Sequence, residues 1–126
     1  MSTEAELLTL SKKLLTAIDT GDWATYAGLC DESITCFEPE ALGHLVSGLP
    51  FHKYYFDLPA GKTPKLSTIA SPQVRVIGDA AVVTYTRVVQ KLDGQGSPVS
   101  AAAMETRVWQ KTSAGWKHIH FHRSPQ

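Results

Sequence analysis

Three arginines have the chemistry and the spacing to build an anion site. Arg87 lies in Val-Thr-Tyr-Thr-Arg-Val-Val, Arg107 in Glu-Thr-Arg-Val-Trp and Arg123 in His-Phe-His-Arg. In an extended strand, residues two apart share a face. Arg87 therefore stands with Tyr85 and Val89, Arg107 with Glu105 and Trp109, and Arg123 with Phe121 and Ile119. These are mostly apolar stripes, so each guanidinium is expected to point inward, where a charge is costly unless paired. One reading is a carboxylate or phosphate site, because the planar fork donates two parallel hydrogen bonds to such groups. The other is structural pairing to Glu38, Glu40 or Glu105, or exposure at strand ends. If the three converge, their repulsion destabilises the empty site. Glu105, a possible pocket acid, then neutralises part of the charge, and removing Arg107 relieves crowding.

His118, His120 and His122 alternate and are expected on one face of the last strand. At ~3.3 Å rise per residue the outer two lie ~13 Å apart and cannot share an ion, so no metal site is expected from this row. Interface or surface histidines suit it better. His52 lies in an aromatic run, Phe51-His-Lys-Tyr-Tyr-Phe56, either as a half-buried histidine or as a pocket residue able to donate or accept. Cys30 and Cys36 fit no zinc, haem or redox spacing and read as small buried hydrophobes. No phosphate-cradling glycine loop, nucleophile elbow or kinase signature is present, and no cofactor is implied.

The elements that must position these groups run helices first, then strands. Thr3-Glu-Ala-Glu6 fits a capping box opening a helix with Leu7, Leu8, Leu14, Leu15 and Ile18 apolar, and Gly21 stops it. Asp22 can cap a second helix through Trp23, Tyr26, Leu29 and Cys30. A short strand over Ile34–Phe37 turns at Pro39 and Gly43, and His44–Val46 can return. Pro50 starts a small third helix through Phe56, and 57–64 is a loop. Long strands follow over Leu66–Ile77, bent at Pro72, then Ala80–Leu92, Val99–Lys111 and Trp116–Arg123, with tight turns between them. This order predicts one α+β domain over 1–126, with helices packed on one face of a curved sheet.

Twelve Lys and Arg cancel twelve Asp and Glu, and the chain is 43% hydrophobic and 19% charged. Neutrality argues against nucleic-acid or anionic-membrane partners, and no apolar run nears the ~20 residues of a span. The N-terminus carries no signal-like core, so a cytoplasmic setting is expected.

Gly21-Asp-Trp-Ala-Thr-Tyr26, Cys36-Phe-Glu-Pro-Glu-Ala-Leu-Gly43, Phe51-His-Lys-Tyr-Tyr-Phe56, Glu105-Thr-Arg-Val-Trp109 and His120-Phe-His-Arg-Ser124 together resemble the association (hub) domain of calcium/calmodulin-dependent protein kinase II, in a stand-alone form. The resemblance runs from about residue 4 to residue 124. It implies a nuclear transport factor 2-like cone, with a long N-terminal helix and two short ones in a strongly curved antiparallel sheet. It also implies a homo-oligomer, a dimer or a larger ring. A deep pocket for a small carboxylate is implied, lined by Tyr26, His52, Arg87, Arg107 and Arg123. The loop through Ala60-Gly-Lys62 is short and lacks a tryptophan found in some members. The resemblance covers no kinase catalytic domain, so kinase activity is not expected. An isomerase, dehydratase or cyclase using the same cone is the alternative.

Overall fold

The computed structural model describes residues 2–59 and 63–126. Helix α1 spans Thr3–Thr20 and is capped by Ser2, whose hydroxyl accepts from Ala5 N at 3.1 Å. The cap thus sits one residue before the expected box, and Glu4 and Glu6 face the positive end of the helix dipole. Leu7, Leu14 and Leu15 are buried along one stripe. Gly21, at φ 69°, ends the helix, with Gly21 N donating to Ile18 O at 3.3 Å and Asp22 N to Ala17 O at 2.8 Å. That pairing satisfies two terminal carbonyls and needs the left-handed backbone that glycine supplies. Asp22 then caps α2 (Trp23–Leu29) through Thr25 N at 3.1 Å.

Strand β1 covers Cys30–Phe37, and a 3₁₀ turn over Pro39–Ala41 leads to the two-residue β2 (Val46–Ser47). Helix α3 spans Pro50–Phe56. The long strands are β3 (Lys65–Ile77), β4 (Ala80–Leu92), β5 (Pro98–Thr112) and β6 (Gly115–Pro125). Residues 60–62 of the expected loop lie outside the described residues. Among the described residues the strands form one sheet in the order β2-β1-β6-β5-β4-β3. Its pairs are antiparallel except where β1 lies parallel to β6. No helix of the described residues is long and apolar enough to cross a membrane.

Register irregularities interrupt three strand pairs, β1–β6 between Cys30 and Thr35, β3–β4 and β5–β6, and two of them bear on the sequence reading. One interrupts β3 between Ala70 and Gln73, where Ser71 takes φ 51° beside the expected break at Pro72. The other corrects the histidine row. Val108 pairs with His120 but Trp109 pairs with His118, so Ile119 is the extra residue and the alternation changes phase there. Trp116, His118 and Phe121 face the core, whereas His122 is exposed and His120 only partly buried. The three histidines do not share a face, and Arg123 shares the inner face with Phe121 but not with Ile119. His118 is a core residue and not an interface one.

Candidate functional site

The inner face of the bent sheet carries the candidate residues in register. Tyr85 of β4 pairs with Glu105 of β5, and Glu105 with Arg123 of β6. One row along, Val83 pairs with Arg107 and Arg107 with Phe121. Helices close the other side: α1 brings Asp19, α2 brings Tyr26 and α3 brings His52. Tyr26, His52, Arg87, Arg107 and Arg123 line one cavity of about 320 Å³, together with Glu38, Glu40 and apolar side chains that include Phe56 and Phe121.

The arginines are not an uncompensated positive cluster. Arg87 Nη2 donates to Asp19 Oδ1 at 2.9 Å, its Nε to Ser67 Oγ at 2.8 Å, and its Nη1 reaches Glu105 Oε2 at 3.4 Å. Ser67 in turn donates its N–H and hydroxyl to Asp19, tying β3 to α1. Arg107 Nη2 donates to Glu105 Oε1 at 2.9 Å and its Nε to Tyr85 Oη at 2.8 Å. The Arg107 guanidinium also lies 4.5 Å from the Phe121 ring centroid. Arg123 pairs with Glu40 and stands 3.8 Å from Glu38. Each guanidinium therefore has a carboxylate of its own chain. The expectation that removing Arg107 relieves crowding does not hold, because a buried acid balances it.

Glu105 is 2% exposed and sits beneath the cavity floor, where Tyr85 donates to it at 2.6 Å. Burial pushes its carboxyl up, but Arg107, Arg87 and the Tyr85 hydroxyl outweigh this and hold it below the ordinary range. It is a fixed counter-charge, ill-suited to the role of pocket acid. Burial, reinforced by Glu40, raises Glu38 instead. Burial and the Arg107 charge push His52 down to about 4, so it is neutral near pH 7. The same two causes put His118 well below its usual value. Its Nε2 faces Arg107 Nη1 at 3.4 Å and so accepts, leaving Nδ1–H toward Cys30 Sγ at 3.5 Å. Burial raises both cysteines to about 12.

The family resemblance implied Tyr26, His52 and the three arginines together, while spacing alone left the arginines' role open, and both missed Asp19. The signal was present: Asp19 lies four residues after the buried Leu15, on the same helix stripe. Both also missed a cluster at the cavity edge. Cys36 Sγ lies 3.8 Å from His52 Nε2, and Glu38 Oε1 lies 3.9 Å from His52 Nδ1.

The sequence model of the calcium/calmodulin dependent protein kinase II association domain matches residues 3–126. The chain belongs to that family. It is 42% identical over 122 residues to the type II kinase subunit delta of Oryctolagus cuniculus, covering 94% of this chain and 23% of that protein. It thus spans about a quarter of the curated kinases it matches. Among solved structures, the Chlamydomonas reinhardtii CaMKII hub homology domain superposes with a TM-score of 0.92 at 53% identity, over 99% of each chain. The association domain of the C. elegans kinase gives 0.90 at 43%, over 96% of this chain and 94% of that one. An NTF2-like protein from Cytophaga hutchinsonii, 21% identical with a TM-score of 0.82 over all of both chains, agrees on the fold alone. The association-domain family is thus the one implied by Phe37-Glu-Pro-Glu-Ala-Leu-Gly43 and His120-Phe-His-Arg-Ser124.

Proposed function

We propose that this chain, over 1–126, is a self-assembling association domain of the cytoplasm whose cavity accepts a small carboxylate. The observation that carries the reading is the convergence of Tyr26, His52, Arg87, Arg107 and Arg123, from five different elements, on one cavity. Its volume of about 320 Å³ suits a small ligand. Donors remain for one: a guanidinium has five N–H groups, and among the described residues the bonds of Arg107 occupy only its Nε and one hydrogen on each terminal nitrogen. Arg123 is the exchangeable partner, since its side chain is 23% exposed and that of Glu40 37%. An entering carboxylate takes the place of Glu40 on Arg123 while Arg107 supplies the deeper donors. Assembly is supported by family membership. The outward positions of β4 and β5 also carry Val82, Val88, Met104 and Val108 where a free sheet face would show charges.

Light scattering after size exclusion tests the assembly, and a clean monomer near 13.7 kDa at micromolar concentration refutes it. Malonate or acetate should raise the thermal midpoint by RT ln(1 + [L]/Kd), about 2.7 kcal/mol at 100-fold Kd. Arg123→Ala should remove most of that shift and Lys111→Ala none of it. An unmoved midpoint with both anions ends the pocket reading.

A further inference from the structure

Cys36, Glu38 and His52 each offer one ligating atom, all within 4.8 Å of one another, and among the described residues they form the group of this kind. They come from separate places: Cys36 from the end of β1, Glu38 from the exit of that strand, and His52 from α3. We propose that they bind a single transition-metal ion of the zinc type, with the remaining coordination position open to the cavity.

The donor set decides the metal class. A thiolate, an imidazole and a carboxylate suit zinc or cobalt and not magnesium or calcium, which take oxygen ligands. With Zn–S near 2.3 Å and Zn–N and Zn–O near 2.0–2.1 Å, tetrahedral ligand atoms stand roughly 3.3–3.6 Å apart. The Cys36 Sγ to His52 Nε2 distance of 3.8 Å already approaches this. Glu38, whose 3.9 Å approach is to the opposite ring nitrogen Nδ1, must swing its carboxylate toward the Nε2 side, within a group whose ligand atoms lie within 4.8 Å of one another. Cys36 is fully buried and His52 is 5% exposed. Glu38 and His52 also line the cavity, which gives the ion a path in. A thiolate and a carboxylate balance a divalent charge, and the nearby Arg107 is occupied by Glu105 at 2.9 Å. Three protein ligands with an open fourth position are the arrangement of reactive zinc sites.

The second cysteine supplies the contrast. Cys30 Sγ lies closer to a histidine, 3.5 Å from His118 Nδ1, but the other nitrogen of that ring faces the Arg107 guanidinium at 3.4 Å. A cation already stands at that end of the pair, and no carboxylate joins it in a three-ligand group. The geometry thus selects Cys36 over Cys30.

The probe is Co²⁺, as its chloride, titrated into chelator-treated protein in carboxylate-free buffer and then displaced with Zn²⁺. Keeping carboxylates out separates this test from the anion reading, which is judged on metal-free protein. One Co²⁺ per chain should bind, with a thiolate-to-cobalt charge-transfer band and the visible bands of tetrahedral Co²⁺. Cys36→Ala should abolish the charge-transfer band. His52→Gln and Glu38→Gln should each weaken binding at least ~10-fold while keeping Cys36 available, since even supporting residues cost that much. Cys30→Ala should change neither band nor affinity. Far-ultraviolet circular dichroism of each metal-free variant checks folding, and Cys36→Ser replaces Cys36→Ala should the latter unfold. A wild-type titration without the charge-transfer band overturns the site. So does a band that survives loss of Cys36, or an affinity indifferent to His52 and Glu38.

Discussion

Arg107→Ala should destabilise the protein severely, although simple charge repulsion among three arginines predicts the opposite. Arg107 is 1% exposed and holds Glu105, itself 2% exposed, at 2.9 Å. Truncation leaves that carboxylate with the Tyr85 hydroxyl at 2.6 Å and the Arg87 guanidinium at 3.4 Å, a weaker and more distant counter-charge. Breaking a buried ion pair from one side costs about 3–5 kcal/mol, because a desolvated charge remains. The lost stem packing over Phe121, 4.5 Å from the guanidinium, adds to this. For a chain of this size each kcal/mol moves the midpoint by roughly 3–5 °C, so a fall of about 10–20 °C is expected. Removing both charges, as in Arg107→Met with Glu105→Leu, should recover most of the loss, since apolar replacement of a buried pair is often neutral. Urea unfolding at one fixed protein concentration gives the comparison, because self-association makes apparent stability concentration-dependent. A single Arg107→Ala variant as stable as the parent, or a double variant no better than the single, refutes the ion-pair account.

His118 makes a pH prediction. Its folded value is depressed, so below about pH 6.5 the unfolded chain binds a proton that the folded chain does not, and stability falls with acid by up to ~1.4 kcal/mol per pH unit. His118→Gln should lower the slope of unfolding stability between pH 6.5 and 5 by that amount, leaving the like contribution of His52, which is depressed too, and parallel slopes would refute it. Gly21→Ala forces an L-residue to φ 69° at the end of α1 and should cost about 1 kcal/mol by urea unfolding, a neutral result refuting the cap geometry.

The fold was legible wherever the determinants are local. Alternating Val, Thr and Tyr bounded by Gly78-Asp79 marked β4 to its observed ends, Ala80–Leu92, and Pro50 marked the start of α3. Gly21 and Asp22 sit where a stop and a cap were expected because both act through the backbone a few residues away. Strand β1 was read four residues short, starting at Ile34 and not Cys30. Cys30-Asp-Glu-Ser33 has little strand propensity of its own, and of the four only Cys30 is paired to β6, through His118, before the register shifts ahead of Thr35. The Ile119 bulge left no trace either. His118-Ile-His-Phe-His122 reads as unbroken alternation without glycine or proline, and the extra residue appears only against the spacing of β5.

The site divides along the same line. A face can be read from spacing, and Arg87, Arg107 and Arg123 were found because each shares its stripe with an inward aromatic or acidic neighbour. What a guanidinium meets on that face depends on how distant elements dock. Asp19, which reaches Arg87 across 68 residues, was missed, whereas Glu40, named among the possible partners, reaches Arg123 across 83. Glu105, two residues from Arg107, was the one counter-charge within local reach, and it was recognised as a partner while its depth was not. The same limit hid Cys36, Glu38 and His52. Cysteine and histidine sixteen residues apart match no ligand spacing, yet α3 folds back to set His52 Nε2 3.8 Å from the Cys36 sulfur. In this cone, sequence spacing tells which side chains turn inward only where no bulge shifts the phase, as the Ile119 bulge does in β6. The packing of α1 on β3 sets Asp19 against Arg87, and that of α3 sets His52 beside Cys36, so distant elements determine what each inward group meets.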